Sequence, residues 1–229
     1  MALHKIVFLF DVDNTLLDTD RVTQDLHAFL NQQIGPDEQQ FYFAIFEQLR
    51  SELGYADYLG ALQQYRHVHP HHTQIVQVSL YLLNYHFANR LLPGSLDAVE
   101  HMKQFGTVVI LSDGDVVFQP NKIENAGLWE AFGGNVLIFI HKEQELDAVA
   151  ETFPADHYVI FDDKLRILDA FKKVWDTRVT TVWVQQGHYA HNPKYIEGYL
   201  PADVTVAHIA DVMQYDAMQL IAAASTHTT

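Results

Sequence analysis

Two carboxylates follow an apolar run near the start of the chain. Residues 6–10 are all apolar, and Asp11 and Asp13 come directly after them, separated by one valine. An uninterrupted apolar run suits a strand buried on both faces of a parallel sheet, and ligands of such sheets gather beyond the carboxyl ends of the strands. Two carboxylates this close repel each other unless a divalent cation neutralises them. The pattern therefore predicts a metal-dependent site where the first strand ends.

Two later segments repeat this layout. One apolar run is followed by Ser112, Asp113 and Gly114, and another is followed by the paired acids Asp162 and Asp163. Helical segments separate these runs, which predicts right-handed crossovers and a parallel sheet with helices on both faces. Because the carboxyl ends of parallel strands meet at one edge of the sheet, we expect the three polar groups to lie close together.

The predicted elements divide the chain in two. Residues 18–92 show a helical spacing of apolar residues and little strand character, and Gly35 and Pro36 interrupt the pattern. The rest of the chain alternates between strands and helices. In the first part we predict helices up to residue 34 and over 37–53, 56–65 and 73–92. In the second part we predict strands over 107–111, 135–140, 158–161 and 180–184, and helices over 95–104, 121–126, 143–152 and 164–173.

Three of these segments resemble the motifs of the haloacid dehalogenase superfamily. Residues 11–16 resemble its first motif, Asp-x-Asp-x-Thr followed by Leu or Val. Residues 108–114 resemble the second, a strand ending in Ser or Thr, and residues 158–163 resemble the acidic fourth. The resemblance covers about residues 1–17 and 93–210. It implies an α/β fold with a Rossmann-like parallel-sheet core (1–17 and 93–229) and a small all-helical cap (18–92) inserted after the first strand.

The resemblance also implies catalytic roles. Asp11 matches the family's nucleophile, and Asp13 matches the general acid/base that protonates the leaving oxygen and then activates water. Haloacid dehalogenases share the nucleophile but lack the second Asp, because halide leaves without protonation, so Asp13 favours phosphoryl transfer. Lys142 matches the third-motif lysine by its place between a strand and a helix, although Glu143 replaces the Pro that often follows. Lys122 is the competing candidate.

The phosphate-binding set implied by the resemblance has four members. Ser112 would offer its hydroxyl, together with the backbone N–H groups of Asp113 and Gly114, to the transferring phosphoryl group. Asp113 departs from the Asn common in relatives and brings a negative charge near the phosphate, unless its side chain points away. Thr15 completes the set, and its hydroxyl is expected either to order the turn or to cap the following segment.

Magnesium is the implied cofactor. Its ligands would be Asp11, the backbone carbonyl of Asp13, and the paired acids Asp162 and Asp163, of which Asp163 matches the usual direct ligand and Asp162 a water-mediated one. A further Asp often follows four residues later, but Ile167 occupies that place and Asp169 is out of register. The missing acid predicts a weaker or altered metal site.

Composition narrows the classes of partner. The chain has 229 residues, 48% of them hydrophobic, which suffices for an α/β core with one modest insertion. The absence of cysteine excludes disulfides, cysteine-ligated zinc and thiol nucleophiles. A net charge of −15 argues against binding a nucleic-acid backbone. No stretch approaches the ~18 apolar residues needed to span a bilayer, and the first apolar run is too short for a signal peptide. We expect a cytoplasmic protein without membrane partners and leave its oligomeric state open.

The segment 18–92 contains no lysine, and its fixed cations are four arginines: Arg21, Arg50, Arg66 and Arg90. Tyr55, Tyr58 and Tyr65 supply polar rings there. We therefore expect a leaving group that is neutral and polar or aromatic rather than multiply anionic.

Histidines form two further features. Four of them between His67 and His72 have near metal-ligand spacing, but the pattern includes no acidic or cysteine partner, so a surface loop is the preferred interpretation. His188 follows the last long strand, where it would either contact substrate or have no role.

These residues predict a magnesium-dependent phosphohydrolase that acts on a small phosphomonoester through an aspartyl-phosphate. Two alternatives stay open. A phosphomutase shares the first half of this mechanism. A catalytically weak binding or regulatory protein would result if Asp113 or the missing distal acid spoils the site.

Overall fold

One parallel sheet forms the centre of the protein. The computed structural model describes residues 5–224, and within them six strands pair in the order β3-β2-β1-β4-β5-β6. The strands are β1 (Ile6–Phe10), β2 (Thr107–Asp113), β3 (Val136–Phe139), β4 (His157–Asp162), β5 (Val179–Val184) and β6 (Val204–Val206). The predicted α/β fold with a parallel-sheet core is therefore confirmed. The three-residue strand β6 was not predicted.

Strand β1 lies in the middle of the sheet and is buried throughout. Its alternating side chains enter different layers: Phe8 and Phe10 belong to one hydrophobic cluster, whereas Val7 and Leu9 belong to another. This explains why the strand is continuously apolar, since neither of its faces meets water. Phe10 pairs with Ile110 of β2 and with Phe161 of β4, so β4 continues one residue and β2 three residues beyond the end of β1.

Helices cover both faces of the sheet. After residue 92 the helices are α5 (Ser95–Lys103), α6 (Phe118–Asn125), α7 (Leu128–Ala131), α8 (Leu146–Thr152), α9 (Leu165–Trp175), α10 (Gly187–His191) and α11 (Ala217–Ala223). Helices α5, α6, α7 and α11 contribute to the cluster on the Phe8 side of β1. Helices α8 and α9 contribute to the cluster on the Val7 side.

Four helices occupy the segment between β1 and α5: α1 (Thr19–Ile34), α2 (Pro36–Leu53), α3 (Tyr58–Val68) and α4 (Ile75–Leu83). Asp18 caps α1 by accepting a hydrogen bond from Arg21 N at 2.9 Å. Gly35 separates α1 from α2 with φ +89°, a conformation that favours glycine. The helix predicted over 73–92 ends at Leu83, and Phe87–Arg90 forms a separate 3₁₀ turn. The side-chain amide of Asn84 bonds Leu80 O at that end.

The chain enters the helical segment at residues 16–18 and leaves it at residues 90–92, and these two stretches lie side by side. Asp18 N donates to Arg90 O at 2.8 Å, and Leu92 N donates to Leu16 O at 2.9 Å. The hydroxyl of Ser95 also donates to Leu16 O at 2.8 Å. Every described strand lies outside residues 18–92, and the apolar cluster on the Phe8 face continues into helices α1 to α4. We retain the division into core and cap, at the same bounds, as a proposal.

None of the helices between residues 5 and 224 combines the length and the apolar character needed to cross a lipid bilayer.

Candidate active site

Asp11 lies one residue beyond β1 and is 3% exposed. Its backbone N–H donates to Phe161 O at 3.0 Å, which continues the pairing of β1 with β4. Its carboxylate is held on both sides: Lys142 Nζ lies 2.5 Å from Oδ1, and the hydroxyl of Thr15 donates to Oδ2 at 3.3 Å. The hydroxyl of Thr15 therefore contacts the carboxylate of Asp11. Its membership of the phosphate-binding set stays a prediction.

Lys142 reaches Asp11 from the turn after β3. Its side chain is 1% exposed, and Nζ also lies 2.7 Å from Asp162 Oδ2 and 3.2 Å from Leu111 O. Burial alone would lower the pKa of this amine, but the nearby carboxylates of Asp11, Asp162 and Asp113 outweigh burial and raise the pKa. Lys142 is thus a permanent cation between two strand-end acids, in the place that we predicted from its position in the sequence.

Lys122, the competing candidate, contacts the other acid of the first motif. Its Nζ lies 2.6 Å from Asp13 Oδ1, and its side chain is 3% exposed. Gln119 Nε2 donates to Asp13 Oδ2 at 3.0 Å, and the Thr19 hydroxyl donates to Oδ1 at 2.5 Å. Burial would raise the pKa of Asp13, but the charge and hydrogen bond of Lys122, with help from Thr19, lower it to about 2. Asp13 is therefore ionised in the free protein.

Asp162 and Asp163 lie beside Asp11 at the end of β4. One oxygen from each of these three buried carboxylates lies within 4.8 Å of the others. Asp162 Oδ1 accepts from Lys164 N at 2.8 Å, whereas both carboxylate oxygens of Asp163 are buried without a hydrogen-bond partner. Burial raises the pKa of Asp163 well above its ordinary value, and Lys164 only partly opposes this.

A buried carboxylate without a hydrogen-bond partner destabilises the folded state unless a cation binds it. Three converging carboxylates without nitrogen or sulfur donors suit a hard ion such as Mg²⁺. The residues therefore fit the implied metal, and Asp163 has the free oxygens that a direct ligand needs. The carboxylate of Asp13 faces Lys122 instead, which leaves its backbone carbonyl as its possible contribution. Asp169 does not join this group, because it pairs with Lys173 at 2.7 Å.

The second strand end carries Asp113, and of the two orientations left open for its side chain the structure has the one near the site. The Asp113 side chain does not point away: it lines the cleft above the site and accepts from Lys142 N at 2.7 Å. Burial raises the pKa of Asp113 more than Lys142 lowers it. The backbone N–H of Gly114 donates to Phe139 O at 3.0 Å in this structure, and its binding of phosphate stays a prediction. Ser112 Oγ accepts from Gln119 Nε2 at 2.8 Å and stays close to Asp13 through that amide.

Sequence reasoning missed three residues of the site. Gln119 and Thr19 hold Asp13, and Lys164 follows the paired acids directly. Burial would lower the pKa of Lys164, but Asp163, Asp11 and Asp162 raise it, so it adds a second permanent cation. The signal for Lys164 was its adjacency to two acids at a strand end. Gln119 and Thr19 gave no comparable signal, because a single amide or hydroxyl in a helix has no motif.

A cleft of about 730 Å³ lies between this site and the helical segment. Asp13, Lys122 and Lys164 line it from the sheet side, whereas Arg50, Tyr55 and Tyr58 line it from the helical side, together with Thr23, His27 and Phe46. Of the four arginines singled out in the sequence, Arg50 alone is among the residues that line this cleft. Tyr65 is not among them. His188, Tyr189, Tyr195 and Tyr199 also line the cleft.

His188 is paired with an acid at the rim of the cleft. Its Nδ1 lies 2.6 Å from Asp20 Oδ1, and its backbone N–H donates to Asp20 Oδ2 at 2.8 Å. Asn14 Nδ2 also donates to Asp20, at 3.0 Å. The preceding Gly187 has φ +70°, and a Cβ there would lie 2.5 Å from the Asn14 side chain. The loop after β5 is thus fixed to the turn that carries the first motif.

Comparisons with known proteins identify the family and the fold of the chain. Residues 7–175 match the sequence model of the haloacid dehalogenase-like hydrolases. No curated protein matches the chain. A solved structure described as a haloacid dehalogenase-like hydrolase, from Burkholderia xenovorans, is 55% identical, with 95% of this chain and 99% of that chain covered and a TM-score of 0.91.

Two more distant structures share the fold. Bacillus subtilis YfnB, a HAD-type hydrolase solved with bound magnesium, is 15% identical, with 92% of this chain and 98% of that chain covered and a TM-score of 0.61. The L-2-haloacid dehalogenase of Xanthobacter autotrophicus, solved with chloropropionic acid covalently bound, is 15% identical, with 91% and 96% covered and a TM-score of 0.60. The match over residues 7–175 and the 55% identity over nearly the whole length confirm the resemblance seen in the motifs. The chain belongs to the haloacid dehalogenase-like hydrolases.

Proposed function

We propose that the protein is a magnesium-dependent phosphohydrolase that cleaves a small phosphomonoester through an aspartyl-phosphate on Asp11. The observation that carries this proposal is the second acid, Asp13, which faces the cleft and is held by Lys122, Gln119 and Thr19. An alkoxide leaving group needs a proton donor, whereas a halide does not. A haloacid dehalogenase would have no use for a carboxylate positioned in this way.

In the proposed reaction an Asp11 oxygen attacks phosphorus in line, and the bond from phosphorus to the leaving oxygen breaks. Lys142 stays hydrogen-bonded to Asp11 and offsets the charge that develops on the transferred group. When bound, magnesium would be held by Asp11, Asp163 and the Asp13 carbonyl, and it would neutralise repulsion between the carboxylate and the phosphate. Lys164 adds positive charge on the same side.

Asp13 would carry the proton in both halves of the reaction. Asp13 is ionised in the free protein, and the ionised form is the one that can take a proton from the water that hydrolyses the aspartyl-phosphate. The first half requires a protonated acid. A bound phosphate places negative charge near Asp13, and a like charge raises the pKa of a carboxyl group. Lys122 contacts Asp13 directly, so we expect its charge to determine how easily Asp13 changes between the protonated and the ionised form.

The cleft favours a neutral leaving group. Its basic side chains already face acids or phenols: Lys122 pairs with Asp13, Arg166 with Glu143, and Arg50 with Glu47 at 2.7 Å. Arg50 Nη1 also donates to the Tyr189 hydroxyl at 3.3 Å. Tyrosine rings from both sides of the cleft add polar aromatic surface. A sugar or nucleoside monophosphate therefore suits the cleft better than a substrate with a second anionic group.

The decisive experiment compares phosphate release with halide release. Purified protein with magnesium would be offered p-nitrophenyl phosphate, hexose and nucleoside monophosphates, phosphoglycolate and fructose bisphosphate, and separately 2-chloropropionate. We expect phosphate release, lost by at least about 10²-fold in Asp11→Asn, and no chloride release. Chloride release without phosphate release would refute the proposal. A higher kcat/KM for phosphoglycolate and fructose bisphosphate would refute only the preference for a neutral leaving group.

A further inference from the structure

A second group of metal-binding side chains lies on the helical segment, outside the cleft. Glu38 in the first turn of α2 meets His69 and His72, which follow α3. One carboxylate oxygen and one nitrogen from each imidazole lie within 4.8 Å of one another. The expectation that the histidine cluster has no acidic partner is therefore wrong. This partner could not be recognised in the sequence, because Glu38 is about thirty residues away and belongs to another helix.

A buried phenol orients these three side chains. The Tyr65 ring is fully buried in the helical segment, and its hydroxyl donates to Glu38 Oε2 at 2.8 Å. The same hydroxyl lies 2.6 Å from His72 Nδ1. His69 Nε2 lies 3.4 Å from Glu38 Oε2, and the rings of His69 and His72 stack with centroids 5.1 Å apart. Metal-binding sites commonly have such an outer hydrogen-bond partner, because it fixes the direction of the ligand atoms.

We propose that Glu38, His69 and His72 bind a divalent transition-metal ion of the zinc class. Two imidazoles with one carboxylate suit zinc, whereas magnesium prefers oxygen ligands alone. A tetrahedral zinc ion at ~2.1 Å from each ligand needs ligand atoms about 3.4 Å apart, the separation already found between His69 and Glu38. His72 would approach by side-chain rotation, and water would complete the fourth position.

The proposed ion would join two elements of the helical segment. Glu38 belongs to α2, whereas His69 and His72 belong to the connection between α3 and α4. Bound metal would fix this connection to α2. The net charge of −15 also favours accumulation of cations near the protein. The site is separate from the strand-end carboxylates, so it does not depend on the proposed phosphohydrolase activity.

Zinc titration of the chelator-treated full chain in excess magnesium tests this proposal. Wild type is expected to bind one more equivalent of zinc than His72→Ala, and the affinity of that equivalent should fall by at least ~10-fold in Glu38→Gln. Glu38→Gln keeps the shape and the acceptor for Tyr65, so it addresses the site without removing the contact that orders it. At the same zinc concentration, zinc should also raise the Tm of wild type more than that of Glu38→Gln.

His71→Ala is the matched control, because His71 is an exposed neighbour on the same loop. It should keep the zinc equivalent and the Tm response. The proposal is overturned if His72→Ala and wild type bind the same number of zinc ions with the same affinity, or if His71→Ala loses zinc as fully as His72→Ala. It is also overturned if Asp163→Asn alone abolishes all zinc binding, since the ion would then belong to the strand-end carboxylates.

Discussion

Replacing Asp163 by asparagine is expected to stabilise the metal-free protein and to abolish most of its response to magnesium. Both carboxylate oxygens of Asp163 are buried without a hydrogen-bond partner, beside the carboxylates of Asp11 and Asp162. Without metal, the buried charge of Asp163 therefore lowers the free energy of unfolding. Asparagine keeps the shape of the side chain and removes that charge, but it also removes the strongest candidate for a direct magnesium ligand.

The magnitude follows from the burial of Asp163. An unpaired buried ion costs several kcal/mol, whereas an unsatisfied neutral amide costs roughly 1–3 kcal/mol, so the substitution should gain about 2 kcal/mol. For a chain of this length that gain corresponds to a rise of about 4–8 °C in Tm. Burial raises the pKa of Asp163, so the folded state binds a proton more readily than the unfolded chain. Stability of the metal-free wild type is consequently lost as pH rises above the ordinary value of 3.8 towards the raised pKa.

Thermal unfolding in chelator and in magnesium measures both effects. In chelator Asp163→Asn should unfold at a higher temperature than wild type, and its advantage should be larger at pH 8 than at pH 5. Magnesium at ~100 times its Kd should stabilise wild type by about 2.7 kcal/mol and Asp163→Asn by much less.

Asp169→Asn serves as the control, because Asp169 is also buried but pairs with Lys173. It should leave the response to magnesium unchanged. If Asp163→Asn is less stable than wild type in chelator, or responds equally to magnesium, the assignment of Asp163 as the uncompensated metal ligand is refuted.

Three further outcomes are expected. Asp13→Asn should slow hydrolysis of an alkyl phosphate more than that of p-nitrophenyl phosphate, and equal losses in kcat/KM would count against Asp13 as the acid. Lys122→Met should reduce the free energy of unfolding by about 2 kcal/mol at pH 7, because Asp13, whose pKa Lys122 helps to lower to about 2, loses its partner. The deficit should shrink as pH falls from the ordinary value of 3.8 towards 2, and a constant deficit in urea titrations would contradict this. Lys142→Met should cost about 3–5 kcal/mol in chelator, since it leaves Asp11 and Asp162 unpaired, and magnesium should recover part of that loss in the same titration.

Much of the sheet was readable from the sequence because its strands are buried on both faces. The continuous apolar runs before Asp11, Ser112 and Asp162 predicted the strands, and the family match confirms the family that these segments resemble. Strand β6 was missed because three residues, with Thr205 exposed between two valines, carry too little periodicity. The helix predicted over 73–92 was too long because its apolar residues continue past Leu83, where the backbone turns at Asn84.

The contacts within the site were less readable, because they join residues that are distant in the chain. Lys142 could be chosen by position, but nothing in the sequence shows that Lys122 approaches Asp13, a separation of 109 residues. Similarly, Glu38 reaches the histidines only because α2 packs against α3. Motifs identify residue types at strand ends, whereas partners supplied by helices depend on packing that one sequence does not encode locally. The roles assigned to the motif residues stay predictions until the variants are measured.

Helix α6 contacts both the helical segment and Asp13. Phe118 in its first turn contacts Tyr58 and Phe87 of the helical segment, with ring centroids 5.3 and 5.9 Å apart. The next residue, Gln119, and Lys122 one turn later hold Asp13. A displacement of the helical segment would therefore be transmitted through Phe118 to the helix that holds Asp13. For protein engineering, a chimera that takes its helical segment from a relative should retain activity only if α6 is exchanged with it.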